Sequence, residues 1–254
     1  MNLGLSGKVV VVAGASRGIG FAAAEAFAAE GARLVLAGRN PGNLAAAAAK
    51  LVGEGAEVEA VTVDVETKDG AQALVDAALA RFGQLDVLVN NSGGSGGGTF
   101  AENVFSDFES GFERNFWPAL RASKAALPAL VRSKGCIVNV LSIWGREAGG
   151  KVSYNVAKAA LQSLTKAMGR ELAPQGVRAV GVAPGSILHP GGSWERRLSA
   201  DPEGINDFVR RDIPAGRFGA AREVGDVICF LASERANWIT GSVVVVDGGQ
   251  SRAF

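Results

Sequence analysis

Residues 8–31 constrain the fold more than any other stretch. Lys8-Val9-Val10-Val11-Val12-Ala13 is a β-branched run without polar alternation. That pattern suits a strand buried on both faces of a parallel sheet. Glycines follow at 14, 18 and 20, in Gly14-Ala15-Ser16-Arg17-Gly18-Ile19-Gly20. An Ala-rich helical pattern then runs from Phe21 to Glu30 and closes at Gly31. Strand, glycine turn and helix together can hold a pyrophosphate. The glycines admit close backbone approach, and the helix start offers free N–H groups and a positive dipole end. The spacing is G-x-x-x-G-x-G rather than G-x-G-x-x-G.

The same segment admits one competing reading. Gly14-Ala15-Ser16-Arg17-Gly18 fits G-x-S-x-G, the nucleophile elbow of a hydrolase. That elbow normally follows several earlier strands, and none precedes it here. Its triad would also need the single histidine, His189.

The alternation continues along the chain. Arg33 to Asn40 reads as a second strand and its exit, Asn43 to Val52 as a helix, and Ala56 to Val63 as a strand ending at Asp64-Val65. Lys68 to Phe82 reads as a helix and Leu85 to Val89 as a strand leading into Asn90-Asn91-Ser92-Gly93. Val104 to Arg132 reads as mostly helical with bends at Pro118 and Pro128, placing Asn115 mid-helix, where asparagine is a poor helix former. Strands at Cys136 to Leu141, Val177 to Ala183 and Val243 to Val246 complete the pattern, and Ser142 stands at the exit of the first of these. Strands alternating with helices predict βαβ units and an α/β fold, a doubly wound parallel sheet with helices on both faces. The whole chain, residues 1–254, reads as one domain without linker or internal repeat. Right-handed crossovers gather the glycine turn, Arg39, Asp64 and Asn91 at one sheet edge, where such folds bind ligands.

Dinucleotide sites that prefer NAD place an acidic residue near the end of the second strand. None lies between Leu34 and Asn40; Arg39 stands there, and Arg17 lies in the glycine turn. Guanidinium groups suit the 2′-phosphate of NADP. The charge pattern therefore favours NADP(H), with NAD(H) as the alternative.

Ser153-Tyr154-Asn155-Val156-Ala157-Lys158 contains the only tyrosine, with a lysine four residues on. On a helix the two share a face. A neighbouring cation favours the phenolate and makes the phenol a usable proton donor near neutral pH. Alone, the pair fits a solvated surface contact equally well.

Composition narrows the rest. The net charge is +1, which gives no basis for a nucleic-acid or membrane-surface partner. Cys136 and Cys229 are far apart in sequence and form no metal-ligand spacing, so no metal site is expected. They read as buried apolar residues in a reducing compartment. No apolar run approaches the roughly 20 residues of a spanning helix. The segment Met1-Asn2-Leu3-Gly4 carries no basic n-region, and a cytoplasmic location is expected.

Taken in order, Gly14-x-x-x-Gly18-x-Gly20, Asn90-Asn91-Ser92-Gly93, Asn115, Ser142, Tyr154-x-x-x-Lys158, Pro184-Gly185 and Asp247-Gly248-Gly249 resemble the short-chain dehydrogenase/reductase family along nearly the whole chain. The resemblance implies a Rossmann-like domain that moves a hydride between a nicotinamide and a carbonyl or alcohol. It implies that Tyr154 protonates the substrate oxygen, Ser142 hydrogen-bonds it, and Lys158 binds the nicotinamide ribose and depresses the Tyr154 pKa. Asn115 would hold a water in a proton-return path. The cofactor would meet Gly14, Ser16, Arg17, Gly18, Ile19, Gly20 and Arg39, then Asp64 and Val65 at the adenine. Asn91, Ser92 and Gly93 would lie at the riboses, with Tyr154 and Lys158, and Pro184, Gly185 and Ile187 at the carboxamide. A segment at about 185–214 would cover a small-molecule carbonyl or alcohol substrate. Members acting on acyl-carrier-protein thioesters share the general layout. The resemblance further implies a homotetramer, or a homodimer, formed through the long helices and the last strand. A catalytically silent NADP(H)-binding regulator on the same fold is the alternative, and its mark would be a broken tetrad.

Three features depart from the family pattern. Ala13 stands where threonine is usual, Ser92 replaces an alanine, and Ser142 and Tyr154 are one residue closer in sequence than is common. Within the covering segment, His189, Trp194 and five arginines (196, 197, 210, 211 and 217) are open to either a ligand or a solvated reading. Trp144 shares that ambiguity, as pocket wall or packing residue. Gly93 to Gly98 reads either as a mobile rim or as room for a bulky ligand.

Overall fold

The structure is a computed structural model and describes residues 2–253. In chain order its elements are β1 (Val9–Ala13), α1 (Gly18–Ala29), β2 (Arg33–Gly38), α2 (Pro41–Gly53), β3 (Val58–Thr62), α3 (Lys68–Phe82), β4 (Val87–Asn90), α4 (Phe105–Asn115) and α5 (Trp117–Ser133). There follow β5 (Cys136–Val140), α6 (Val152–Leu172), β6 (Arg178–Pro184), β7 (Ile187–Leu188), α7 (Ser193–Ala200), α8 (Pro202–Asp212), β8 (Gly219–Ala220), α9 (Ala221–Ala232) and β9 (Val243–Val246).

Seven strands form one parallel sheet in the order β3-β2-β1-β4-β5-β6-β9. The chain winds outward from β1 to β3, then returns to β4 on the other side of β1. The boundary between β1 and β4 is thus the point where strand order reverses, the ligand crevice of open α/β sheets. This is the Rossmann-like, doubly wound arrangement that the alternation predicts.

The valine run of β1 is buried on both faces because its side chains alternate between two cores. Val10 and Val12 pack with Phe27, Leu34, Leu36, Val224 and Ile228, on the side of α1 and α9. Val9, Val11 and Ala13 pack with Leu74, Leu88 and Leu130, on the side of α3 and α5. Each large side chain fully buried this way contributes about 1.5–3 kcal/mol. Helices α1 and α9 lie close enough that a Cβ on Gly225 would come within 2.7 Å of Ala22 backbone.

Helix boundaries follow local chemistry where caps exist. The Asn40 side chain accepts from Asn43 N at 2.8 Å ahead of Pro41, starting α2. The Thr67 hydroxyl accepts from Gly70 N at 3.0 Å, and Gly83 ends α3 in the left-handed region at φ +75. The mostly helical stretch expected over 104–132 is two helices, divided at Phe116. Asn115 is accordingly the last residue of α4 rather than a mid-helix residue. Pro118 lies in the first turn of α5, where its missing N–H costs nothing, and only Pro128 is interior. Among the described residues no helix is long and apolar enough to cross a membrane.

Candidate active site

The crevice at the β1/β4 boundary is built first by glycine. Gly14 and Gly18 have φ of +80 and +60, a region that side chains other than glycine rarely occupy. Helix α1 begins inside the motif, at Gly18, with no side-chain cap and no acidic residue in its first turn. Its leading N–H groups are left for a ligand. Asn91 Nδ2 donates to Gly14 O at 2.8 Å and ties the exit of β4 to the turn after β1. A cavity of about 680 Å³ opens over this turn, lined among others by Ser16, Arg17, Ile19, Arg39, Asp64 and Val65. Ser92 and Gly93 complete that wall. Gly20 does not line it. A Cβ there would sit 2.2 Å from Gly14 O, so Gly20 serves the close packing of turn on helix.

The arginines are more engaged than the sequence suggested. Arg39 Nη1 pairs with Glu66 Oε1 at 2.9 Å, and Arg17 Nη1 donates to Gly191 O at 2.8 Å. Arg114 and Arg196 line the same cavity. Sequence reasoning left Arg196 open between a ligand and a solvated reading and missed Arg114 and Glu66; the place of Arg114 beside Asn115 was a usable signal.

A second cavity, of about 640 Å³, shares Ile19, Asn91, Gly93, Gly94, Ser95 and His189 with the first. Ser142, Tyr154 and Lys158 line it, as do Pro184, Gly185 and Ile187. Ser142 leaves the end of β5 in extended conformation. Tyr154 and Lys158 are one turn apart on α6, and α6 is fixed by α4. At their crossing a Cβ on Gly111 would come 2.8 Å from Ser153 O, so glycine permits the approach that sets Tyr154 in place. Behind the site, Asn90 Nδ2 donates to Asn139 Oδ1 and Asn139 Nδ2 to Thr165 Oγ1, both at 2.8 Å. This buried chain joins β4, β5 and α6.

Lys158 is buried, and its Nζ donates to Val140 O at 2.8 Å. Burial pulls its ammonium down to about 8. Burial pushes the Tyr154 phenol above its ordinary value, with the Ser142 hydroxyl bonded to it acting in the opposite direction. The Lys158 Nζ lies 5.8 Å from the Tyr154 ring centroid. Desolvation of the phenolate is the larger effect, and the direction is opposite to the depression expected for Tyr154.

Asn115 stands in a smaller adjoining cavity that Tyr154 also lines. Its Oδ1 accepts from Gly94 N at 3.0 Å, and its Nδ2 donates to Gly94 O at 3.1 Å and Gly111 O at 3.0 Å. A Cβ on Gly93 would lie 2.6 Å from Asn115 Oδ1 and 3.4 Å from Lys158 Nζ. Gly93, Asn115 and Lys158 thus converge on one point. The glycine loop is tied rather than free: Gly96 O also accepts from Ser153 Oγ, at 3.2 Å.

Trp144 and Trp194 both line the catalytic cavity. Trp144 follows Ser142 in a 3₁₀ turn over Ile143–Gly145, and its ring lies on Gly149 and Gly150. That packing lies within the loop from Ser142 to Tyr154. Trp194 stacks on Phe208 with ring centroids 4.8 Å apart. The His189 ring lies against Gly18, and its Nδ1 is 3.0 Å from Pro190 O. Among the described residues no hydrogen bond joins Ser16 to His189, as a hydrolase pair would require.

A nicotinamide dinucleotide fits these residues. The uncapped α1 start and the glycine turn suit its diphosphate, and the contiguous second cavity suits its reactive ring. The comparisons agree with this geometry. The family model described as Enoyl-(Acyl carrier protein) reductase matches residues 14–251. The chain is 32% identical over 247 residues to a 3-oxoacyl-[acyl-carrier-protein] reductase of Thermotoga maritima, covering 96% of this chain and 98% of that protein. It superposes on L-sorbose reductase from Gluconobacter frateurii, solved with NADPH and L-sorbose, with a TM-score of 0.94 at 33% identity and full coverage of both chains. A 7α-hydroxysteroid dehydrogenase solved with NADH and 7-oxo glycochenodeoxycholic acid gives 0.91 at 28% identity, over 99% of this chain and 97% of that one. The chain belongs to the short-chain dehydrogenase/reductase family, oxidoreductases that act between alcohol and carbonyl.

Proposed function

We propose that the protein is an NADP(H)-dependent carbonyl reductase or alcohol dehydrogenase whose chemistry is carried by Tyr154, Ser142, Lys158 and Asn115. One observation carries this reading. Ser142, Tyr154 and Lys158 line a cavity continuous with the glycine-turn cleft, so a carbonyl beside Tyr154 shares its space with a dinucleotide laid along the sheet edge.

The bound nicotinamide supplies or accepts the hydride. Tyr154 Oη holds the proton that reaches the substrate oxygen. A phenol raised by burial is fully protonated at neutral pH, the form a reduction needs. The Ser142 hydroxyl donates to the same oxygen as negative charge develops there. Lys158, held by Val140 O, faces the nicotinamide ribose and returns protons toward Tyr154. Asn115 fixes the Gly93–Gly94 corner beside Lys158 and holds the water of the return path.

Arg39 and Arg17 support the preference for NADP(H), as does the NADPH in the sorbose reductase structure. Residues 1–254 act as one catalytic unit, in the cytoplasm, where Cys136 and Cys229 stay reduced. Assembly into a homotetramer or homodimer would cover the exposed Phe105 and Trp238.

The test is NADPH oxidation across a panel of ketones and aldehydes. Tyr154→Phe should lower turnover by about 100-fold or more while NADPH binding persists. Turnover surviving that change would remove Tyr154 from the role.

A further inference from the structure

Residues 187–220 carry five arginines and five carboxylates, and the structure accounts for four of the arginines. Arg210 pairs with Asp207, Arg211 with Asp212 and Arg217 with Glu223. Arg196 donates to Gly191 O at 2.8 Å and lines the cofactor cleft. Arg197 is different. Among the described residues its guanidinium makes no hydrogen bond or ion pair, and it lies over the Trp194 ring at 4.9 Å.

Arg197 lines the catalytic cavity and not the cofactor cleft. Helix α7 presents Ser193, Trp194 and, one turn on, Arg197 to that cavity. From across the site comes Lys151, at the start of α6, three residues before Tyr154. Lys151 too forms no ion pair among the described residues. Its charge is felt by Glu102, whose carboxylate is held by the Thr99 backbone and hydroxyl.

The cavity's charge is one-sided. Its lining includes Lys151, Lys158 and Arg197, and no aspartate or glutamate. Lys158 is committed to Val140 O. Two unpaired cations thus remain, set among the indole walls of Trp144 and Trp194. Arg197 is exposed and Lys151 half-buried, so their attraction for an anion is screened by salt. A neutral substrate would leave both cations facing it unmatched.

We propose that the substrate is an oxo acid: a carbonyl compound whose own carboxylate or phosphate is held by Arg197 and Lys151 while its carbonyl lies at Tyr154 and Ser142. This rests on the reductase reading above and adds the substrate class. The acid group takes no part in the bond changes. Hydride from NADPH adds to the carbonyl carbon and a proton to its oxygen, giving the hydroxy acid and NADP⁺.

The experiment compares 2-, 4- and 5-oxo carboxylic acids with their methyl esters, and oxoalkyl phosphates with the parent hydroxyketones, using NADPH. The best acid or phosphate should exceed its neutral partner in kcat/KM by about 10-fold or more. That preference should shrink with added salt. Arg197→Gln and Lys151→Gln should each lower kcat/KM for the anion, chiefly through KM, and pull the anion-to-neutral ratio toward one. Which acid group leads, carboxylate or phosphate, identifies the source.

Equal use of neutral and anionic partners by the unaltered protein would overturn the proposal and leave the reductase reading standing. So would a ratio insensitive to both substitutions. Failure of every carbonyl to oxidise NADPH would instead strike the reductase reading. In that event calorimetric titration of 4-methylpentanoate and inorganic phosphate into the Tyr154→Phe protein with NADPH decides the anion site. Binding weakened about 10-fold by Arg197→Gln supports it, and no binding of either overturns it.

Discussion

The Arg39 guanidinium lies 2.9 Å from the Glu66 carboxylate, so the cation best placed for a 2′-phosphate already has an anionic partner. Glu66 is fixed from behind: its N–H donates to Asp64 Oδ1 at 3.0 Å, and its carbonyl accepts from Arg121. A bound phosphate must share Arg39 with this carboxylate and stand near its charge. Replacing Arg39 by Ala should weaken NADPH binding about 10-fold more than NADH binding. Replacing Glu66 by Gln should tighten NADPH about 2- to 5-fold, a small gain because the pair is exposed. Equilibrium titration with both cofactors checks both effects. Equal losses for the two cofactors in Arg39→Ala would end the phosphate assignment.

Lys158 should make stability depend on pH in a direction opposite to a surface lysine. Its folded pKa is depressed, from 10.5 to about 8, by burial. Between those values the unfolded chain binds a proton that the folded chain has lost, so stability rises with pH across that window. Below pH 8 the full cost of the buried charge is present. Lys158→Met removes that cost along with the bond to Val140 O, whose loss does not vary with pH. The stability of Lys158→Met relative to the unaltered protein should therefore fall by about 2 kcal/mol between pH 7 and pH 9.5. Urea unfolding of both proteins at those pH values measures the difference, and parallel pH dependences would contradict it.

Much of this was legible because it is local. The unbroken valines of β1 announce a strand with two buried faces, and Thr67 and Gly83 bracket α3 at the bounds the sequence predicts. The tetrad and glycine turn were readable as spacings. What escaped depends on distant partners. The break at Phe116 lies two residues before Pro118, where the sequence places a bend, but local chemistry alone does not set its position. It coincides with Asn115 reaching back to Gly94, 21 residues away in sequence. Glu66 met Arg39 only because β2 and β3 are neighbours in the sheet. The singular state of Arg197 emerged only when its four companions had found partners, one of them six residues away. The rise of the Tyr154 phenol likewise comes from the depth of the site, which spacing does not show.

Trp144 and Gly149 are in close contact within the shortened Ser142–Tyr154 connection. A Cβ on Gly149 would lie 2.0 Å from Trp144 Cζ3, so the indole must move to admit even a methyl group. Gly149→Ala should cost about 1–3 kcal/mol of stability and raise KM for substrate, because a cavity wall shifts. Trp144→Leu should relieve the clash, making the double variant less damaged than the two single effects combined. Thermal unfolding and steady-state kinetics on the four proteins of the cycle check this. Simple additivity would show that the loop has another way to close.

Asn115 can act on the site in two ways, and one substitution separates them. Its side chain satisfies both backbone groups of Gly94 and is itself buried. Asn115→Ala leaves those groups without that partner, a loss of about 1–3 kcal/mol, and frees the loop from Gly93 to Gly98. If Asn115 is chiefly a positioning residue, amide exchange at Gly94 and Gly96 should quicken and KM for NADPH should rise together with the fall in kcat, since Gly93 and Gly94 border the cofactor cleft. If it chiefly holds a water on the proton path, kcat should fall about 10-fold or more while loop exchange and cofactor KM stay near those of the unaltered protein. The three hydrogen bonds and the 2.6 Å approach of a Gly93 Cβ to Asn115 Oδ1 favour the first outcome. Exchange unchanged in the face of a large fall in kcat would reverse that order and make proton return the main work of this side chain.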